Sequence, residues 1–194
     1  MVIGGVSLDR AAVFIDIGYF AKVLKYCFGE PRINFERFSD LLCEDKERLR
    51  TYVYDCTPFR NSPPTEEEER RAANHERFIN SLARLNRFEV RLGRTARNIQ
   101  TGDFYQKGVD VLLTVDLMRM AWSRQIDTAI LVTGDSDFVP AIESAKDAGL
   151  LIMLYYRDCF DPQGKPMSRT IDELLNVCDE CYTIDSQLVE RSEF

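Results

Sequence analysis

TAILVTGDSDFVPAIESAKDAGLLIMLYY, residues 128–156, reads as one strand–helix–strand unit. TAILVT is a short apolar run with β-branched residues, the make-up of a buried strand. Residues 137–148 form a helix stopped by Gly149, and LLIMLYY (150–156) is the next strand. Working outward, AAVFIDI (11–17) is another buried strand, carrying its single acid, Asp16, near its end. Gly18 breaks it and residues 19–28 read as a helix. Asn34 can cap a short second helix with Phe35, Phe38, Leu41 and Leu42 on one side. LRTYVYDC (49–56) alternates like a strand, and Pro58, Pro63 and Pro64 mark a loop. Thr65 caps a long helix whose core side is Phe78, Ile79, Leu82 and Leu85. FEVRL (88–92) is a third strand, followed by a long polar loop over residues 93–106. Residues 108–122 form a helix with a broad apolar side.

Beyond residue 156 a Pro- and Gly-containing loop runs to residue 166. Ser168 can cap a last helix through residue 179, a sixth strand covers 181–184, and a polar tail follows. Alternation of strands and helices predicts an α/β fold: a mainly parallel sheet of five or six strands with helices on both faces and right-handed crossovers. The expected organisation is one domain over residues 8–185, with residues 186–194 as tail.

At 194 residues the chain is long enough to bury a sizeable core. No apolar run reaches bilayer length, so no membrane association is expected. The start, MVIGGVSLD, lacks the basic and apolar regions of a signal peptide. Six scattered cysteines suit reduced thiols, and the cytoplasm is the expected location. Cys178 and Cys181 form a lone C-x-x-C, a weak zinc signal without a second pair. The net charge of −7 counts against nucleic-acid binding, but its distribution is uneven.

In open α/β sheets, sites form beyond the carboxyl ends of strands. Asp16 ends one strand there, and Asp135 and Asp137 follow another in TGDSDF. Asp110, in KGVDV, opens the helix before that strand. Each of the last three can be read as a helix cap or a dipole partner. Asp16 is harder to dismiss, because a carboxylate in an apolar strand costs desolvation free energy unless compensated. Acids brought together raise one another's pKa, and a divalent cation reverses that. Oxygen-only ligands favour Mg²⁺ or Mn²⁺, ions suited to phosphodiester hydrolysis.

FIDIGYF, KGVDVLLTVDLMRMA and TGDSDFVPAIESAKDAG together resemble the NYN domain, a relative of PIN nucleases, in its LabA-like (DUF88) branch. SRTIDELLNVCDECYTID resembles the last helix and strand of that branch. The resemblance implies a three-layer Rossmann-like PIN fold and a Mg²⁺- or Mn²⁺-dependent ribonuclease site. Asp16, Asp110, Asp135 and Asp137 would be its catalytic and metal-binding acids. Many relatives place an asparagine three residues after the first aspartate; here Tyr19 stands there. Some family members are binding or regulatory modules, which keeps a non-catalytic reading open.

Arginines concentrate over residues 70–97. Arg91, Arg94 and Arg97, with Lys107, are candidates for binding substrate phosphates. Tyr19 and Tyr105 are candidates for stacking unpaired bases. Thr133 and Ser136 flank Asp135 and could orient a metal-bound water. His75 reads as a surface residue, and Asp116 falls outside the site because it is not one or two turns from Asp110. The expected partner is RNA, single strands preferred, with DNA and a second copy of the chain left open. A phosphatase of another Rossmann-like family ranks last, since its D-x-D motif would need an acid at Gly18.

Overall fold

The computed structural model describes residues 9–97, 104–161 and 163–194; the side chains of residues 97, 104–106 and 168 also lie outside what is described. Seven strands form one sheet: β1 (Arg10–Asp16), β2 (Glu47–Thr57), β3 (Phe88–Arg97), β4 (Phe104–Lys107), β5 (Thr128–Val132), β6 (Leu151–Tyr156) and, late in the chain, β9 (Glu180–Thr183). Their order is β4-β3-β2-β1-β5-β6-β9. All neighbours are parallel except β4, which runs antiparallel to β3. The parallel part therefore has six strands in a doubly wound arrangement, the α/β, Rossmann-like architecture that the alternating pattern predicts. Chain order reverses between β1 and β5, which makes that crevice the topological switch point.

Helices cover both faces. On one lie α1 (Ile17–Phe28), α2 (Phe35–Cys43) and α3 (Glu66–Ala83); on the other lie α4 (Val109–Trp122), α5 (Val139–Asp147) and α6 (Asp172–Val177). Alternation along β1 divides the core. Ala12 and Phe14 pack with Tyr52, Tyr54, Leu113, Leu117 and Ile142. Val13 and Ile15 pack with Phe20, Val23, Phe38, Leu42 and Leu82. A central strand buried on both sides reads as a continuous apolar run, as β1 does.

Several elements differ from the reading of the sequence. The loop read over residues 93–106 instead extends β3 to Arg97 and supplies most of β4, which pairs with the end of β3 in the register Arg94↔Lys107 to Arg97↔Phe104. Four residues at a sheet edge are too few to show a period. The tail beyond residue 185 contains helix α7 (Ser186–Arg191), capped by Asp185, with Val189 buried and a bridge from Glu193 to Ile33. One apolar anchor in a polar stretch leaves no periodic signal. The loop after β6 holds a small hairpin of β7 (Cys159–Phe160) and β8 (Pro166–Ser168), and the last long helix shortens to α6. Cys27 and Cys159 form a disulfide across 132 residues, a correction to the expectation of reduced thiols. Their Cα atoms stand 5.7 Å apart, a tertiary proximity that spacing in sequence does not report. Among the described residues, no helix is long and apolar enough to cross a membrane.

Candidate active site

Asp16 closes β1 and caps α1: its carboxylate accepts the Tyr19 backbone N–H at 3.1 Å. The register Ile15↔Val132 places the end of β5 beside it. Past β5 the chain turns through Thr133, Gly134 and Asp135. The buried Thr133 hydroxyl accepts the Asp135 N–H at 3.2 Å, and the Asp135 carboxylate accepts the Asp137 N–H at 2.9 Å. Asp135 thus caps the 3-10 turn Ser136–Phe138 that leads into α5. On the neighbouring helix, Gly108 at φ +93° turns the chain out of β4, and Asp110 occupies the first turn of α4.

The local geometry depends on Tyr19 as much as on the acids. A Cβ on Gly134 would lie 2.4 Å from Tyr19 Cε2, so the turn between Thr133 and Asp135 admits only glycine while that ring is present. The Tyr19 hydroxyl accepts the Arg157 N–H at 2.8 Å and is 3.3 Å from the Arg157 carbonyl, to which it donates.

The acids sense one another. Burial pushes Asp16 up from the ordinary 3.8 to about 6; Asp135 and Asp110 add to the rise, and the Tyr19 and Gly18 N–H groups oppose it. Asp110 is raised as well, by burial first and then by Asp135 and Asp137. Four carboxylates from three elements therefore share one electrostatic neighbourhood at the switch point. They do not form a closed shell: among the described residues, no three His, Cys, Asp or Glu side chains stand close enough to hold a metal ion together. An oxygen-only set of this kind suits a hard cation that keeps several of its waters and takes one or two carboxylates. Asp137 is exposed and stands at the rim.

The family model for the NYN domain matches residues 10–185. The chain belongs to the NYN domain family. This NYN domain is accordingly a member of a PIN-like nuclease family. A protein of unknown function, VPA0982 from Vibrio parahaemolyticus RIMD 2210633, has a similar fold: TM-score 0.62 at 19% identity, covering 95% of this chain and 98% of that one. A larger chain from Parabacteroides merdae ATCC 43184 aligns over 92% of this NYN domain and 32% of its own length at 15% identity, with a TM-score of only 0.33. No curated protein matches.

The remaining candidates separate. Tyr19 is buried with its hydroxyl bonded to Arg157, which removes it as a platform for stacking bases. Arg91 is committed elsewhere: its guanidinium bonds Asp116 at 3.0 Å and Glu89 at 3.2 Å and lies over the Tyr52 ring. Inward alternation on β3 turns it toward α4 rather than toward the site. Arg94 and Lys107 are exposed register partners on the β3–β4 pair, next to the start of α4. Arg97 and Tyr105 belong to the same strands, but their side chains lie outside the described residues. Ser136 is half-buried in the turn between Asp135 and Asp137.

Two neighbours escaped the reading of the sequence. Cys56, at the end of β2, has its thiol pushed up by burial and by Asp55, Asp110 and Asp16, with the Lys107 backbone N–H opposing. Its place beside the cluster keeps it a protonated thiol rather than a nucleophile. His75, read as a surface residue, is mostly buried and bonds Asp55 at 3.1 Å. That pair ties α3 to β2, and no helical period in the sequence marks it.

Proposed function

We propose that this NYN domain, of the LabA-like branch, hydrolyses phosphodiester bonds in single-stranded RNA with Mg²⁺ or Mn²⁺ bound within the group Asp16, Asp110, Asp135 and Asp137, through one or two of these carboxylates and the waters the ion retains. The observation that carries the reading is that Asp16 and Asp110 at the switch point are both raised, by burial first and then by neighbouring acids, with Asp135 acting on both. Carboxylates held together at this cost are poised to gain from a cation, since a bound divalent ion removes the repulsion between them. The ion supplies Lewis-acid polarisation of the phosphate and a bound water of lowered pKa.

The chain's own residues provide the positioning. The Tyr19 and Gly18 N–H groups hold the Asp16 carboxylate against the end of β1. Thr133 fixes the backbone of Asp135, and Asp135 in turn fixes that of Asp137. Arg94 and Lys107 are placed to meet phosphates of the strand as charged donors, with Lys107 three residues before Asp110.

The test is cleavage of unstructured RNA, compared with duplex RNA and with DNA, in the presence and absence of EDTA. Wild-type protein cleaves only with divalent ion, and Asp135→Asn loses cleavage while keeping its circular dichroism spectrum. Full activity in Asp135→Asn, or undiminished activity in EDTA, removes the assignment. One feature favours a second reading, a nucleic-acid-binding or regulatory module without turnover: the position of the family asparagine is filled by a buried tyrosine. That reading predicts RNA binding with no cleavage at any concentration of Mg²⁺ or Mn²⁺.

A further inference from the structure

Helix α4 is apolar nearly all round (VDVLLTVDLMRMAW), yet the protein covers only part of it. A helix of that composition belongs in an interior. Its inner side, with Leu113, Leu117 and Met120, is fully packed. Its outer side presents Val111, Val115 and Trp122 with 65%, 56% and 73% of their surfaces in solvent, and half-buried Met118 lies between them. No other helix among the described residues exposes three large apolar side chains.

The spacing 111, 115, 118, 122 is four, three, four, the seam of an antiparallel or parallel helix pair. At 100° per residue these four positions fall within an arc of about 60°. Thr114 borders them on one side and Arg119 on the other. The seam is also palindromic about its midpoint. An antiparallel copy sets Val111 opposite Trp122 and Val115 opposite Met118, then repeats both layers by symmetry, which is the self-complementarity of a two-fold interface. A small β-branched residue meets a large residue in every layer.

Charge agrees with that direction. Asp110 stands at one end of the seam and Arg124, exposed, just beyond the other. Antiparallel pairing brings each acid to the basic end of the copy, whereas parallel pairing sets like charges together. Extent fixes the strength. A helix of 14 residues is about 21 Å long, and its face covers well under the ~800 Å² per partner of a stable complex.

We propose that this face is a self-association surface: two copies pair antiparallel through α4 in a weak, reversible, concentration-dependent dimer. With the seam spanning the 12 residues from Val111 to Trp122, the two acidic sites stand at opposite ends of the helix pair, on the order of 20 Å apart along its axis. The proposal does not depend on catalysis and stands if the nuclease reading fails.

Sedimentation equilibrium on the full chain, from low to high micromolar concentration, tests it. Wild-type protein shows a monomer–dimer equilibrium. Val115→Glu and Trp122→Glu, both at exposed positions, weaken association by at least about tenfold. Tyr26→Glu, at an exposed position on α1, leaves it unchanged. The double variant Val115→Glu/Met118→Lys sets each introduced acid opposite an introduced base and regains dimerisation, a rescue that a misfolded protein cannot give. A monomer at every concentration overturns the proposal, as does a dimer that survives Val115→Glu. A wild-type protein that stays monomeric, with RNA binding lost in Trp122→Ala, overturns it and reassigns the face to nucleic acid.

Discussion

The hydroxyl of Tyr19 and the backbone of Arg157 form a two-way link: the oxygen accepts the Arg157 N–H at 2.8 Å and donates to its carbonyl at 3.3 Å. This fastens the start of α1 to the chain leaving β6 and lays the ring over Gly134, the turn that presents Asp135. Tyr19 is a support of the acidic site, and its own N–H holds Asp16.

Tyr19→Phe leaves the Arg157 N–H without its partner and lowers stability by about 1–2 kcal/mol. Gly134→Ala forces a Cβ into the ring and costs about 1–3 kcal/mol. Tyr19→Ala clears that space, so the double variant is more stable than the sum of the two losses, with a coupling of about 1 kcal/mol. Urea denaturation of the four proteins measures the cycle; strict additivity contradicts the contact.

The elevation of Asp16 makes stability depend on pH. The folded carboxyl titrates near 6 and an unconstrained aspartate near 3.8, so the folded state binds more protons across that window. Its contribution is present below about pH 4 and is lost as pH rises through about 6. A rise of about two pH units corresponds to roughly 3 kcal/mol at full effect. In metal-free buffer Asp16→Asn therefore melts a few degrees above wild type at pH 7 and close to it at pH 4. Mg²⁺ or Mn²⁺ closes the difference at pH 7 by stabilising only the wild type. Calorimetry at both pH values, with and without the ion, checks each part; equal melting at pH 7 contradicts the strain.

Asp116 is buried in α4 and accepts from Arg91 at 3.0 Å, Arg119 at 2.8 Å and the Tyr54 hydroxyl at 3.2 Å. Burial and this acceptor push the Tyr54 phenol far above its ordinary value. Asp116→Ala strands a buried hydroxyl and two cations and costs about 3 kcal/mol, the low end for such a network because Arg119 is half exposed. The expected signature is a lower denaturation midpoint with an unchanged affinity for Mg²⁺ or Mn²⁺. A selective loss of cation binding without a stability change contradicts a structural role.

Thr65 and Glu68 form a reciprocal cap on α3: each side chain accepts the other's backbone N–H, at 3.2 and 2.8 Å. Thr65→Ala lowers stability by about 1 kcal/mol. Thermal melting measures it, and Thr65→Ser should restore most of the loss.

Local chemistry makes much of this legible in the sequence. The buried runs in 11–17 and 128–133 announce central strands, because a strand covered on both faces must be apolar throughout. Thr65 announces a helix start, because an unsatisfied first turn needs an acceptor. The acids after strands announce a shared neighbourhood, because parallel topology collects strand ends along one edge. What depends on partners distant in the chain was not legible. Arg91 looks like a phosphate ligand until Asp116 faces it, and Tyr19 looks available until Arg157 takes its hydroxyl. Cys27 and Cys159 look unrelated until α1 and β7 meet.

By itself the sequence determined the layers, most element starts and the placing of the four acids after strands or at helix starts, since backbone preference and hydrophobic period are properties of neighbouring residues. Only the tertiary structure decided which polar side chains remain available for a ligand and which are consumed in holding elements together. Hydrogen-bond and ion-pair partners separated by 25 to 138 residues are chosen by packing, and no local pattern encodes that choice.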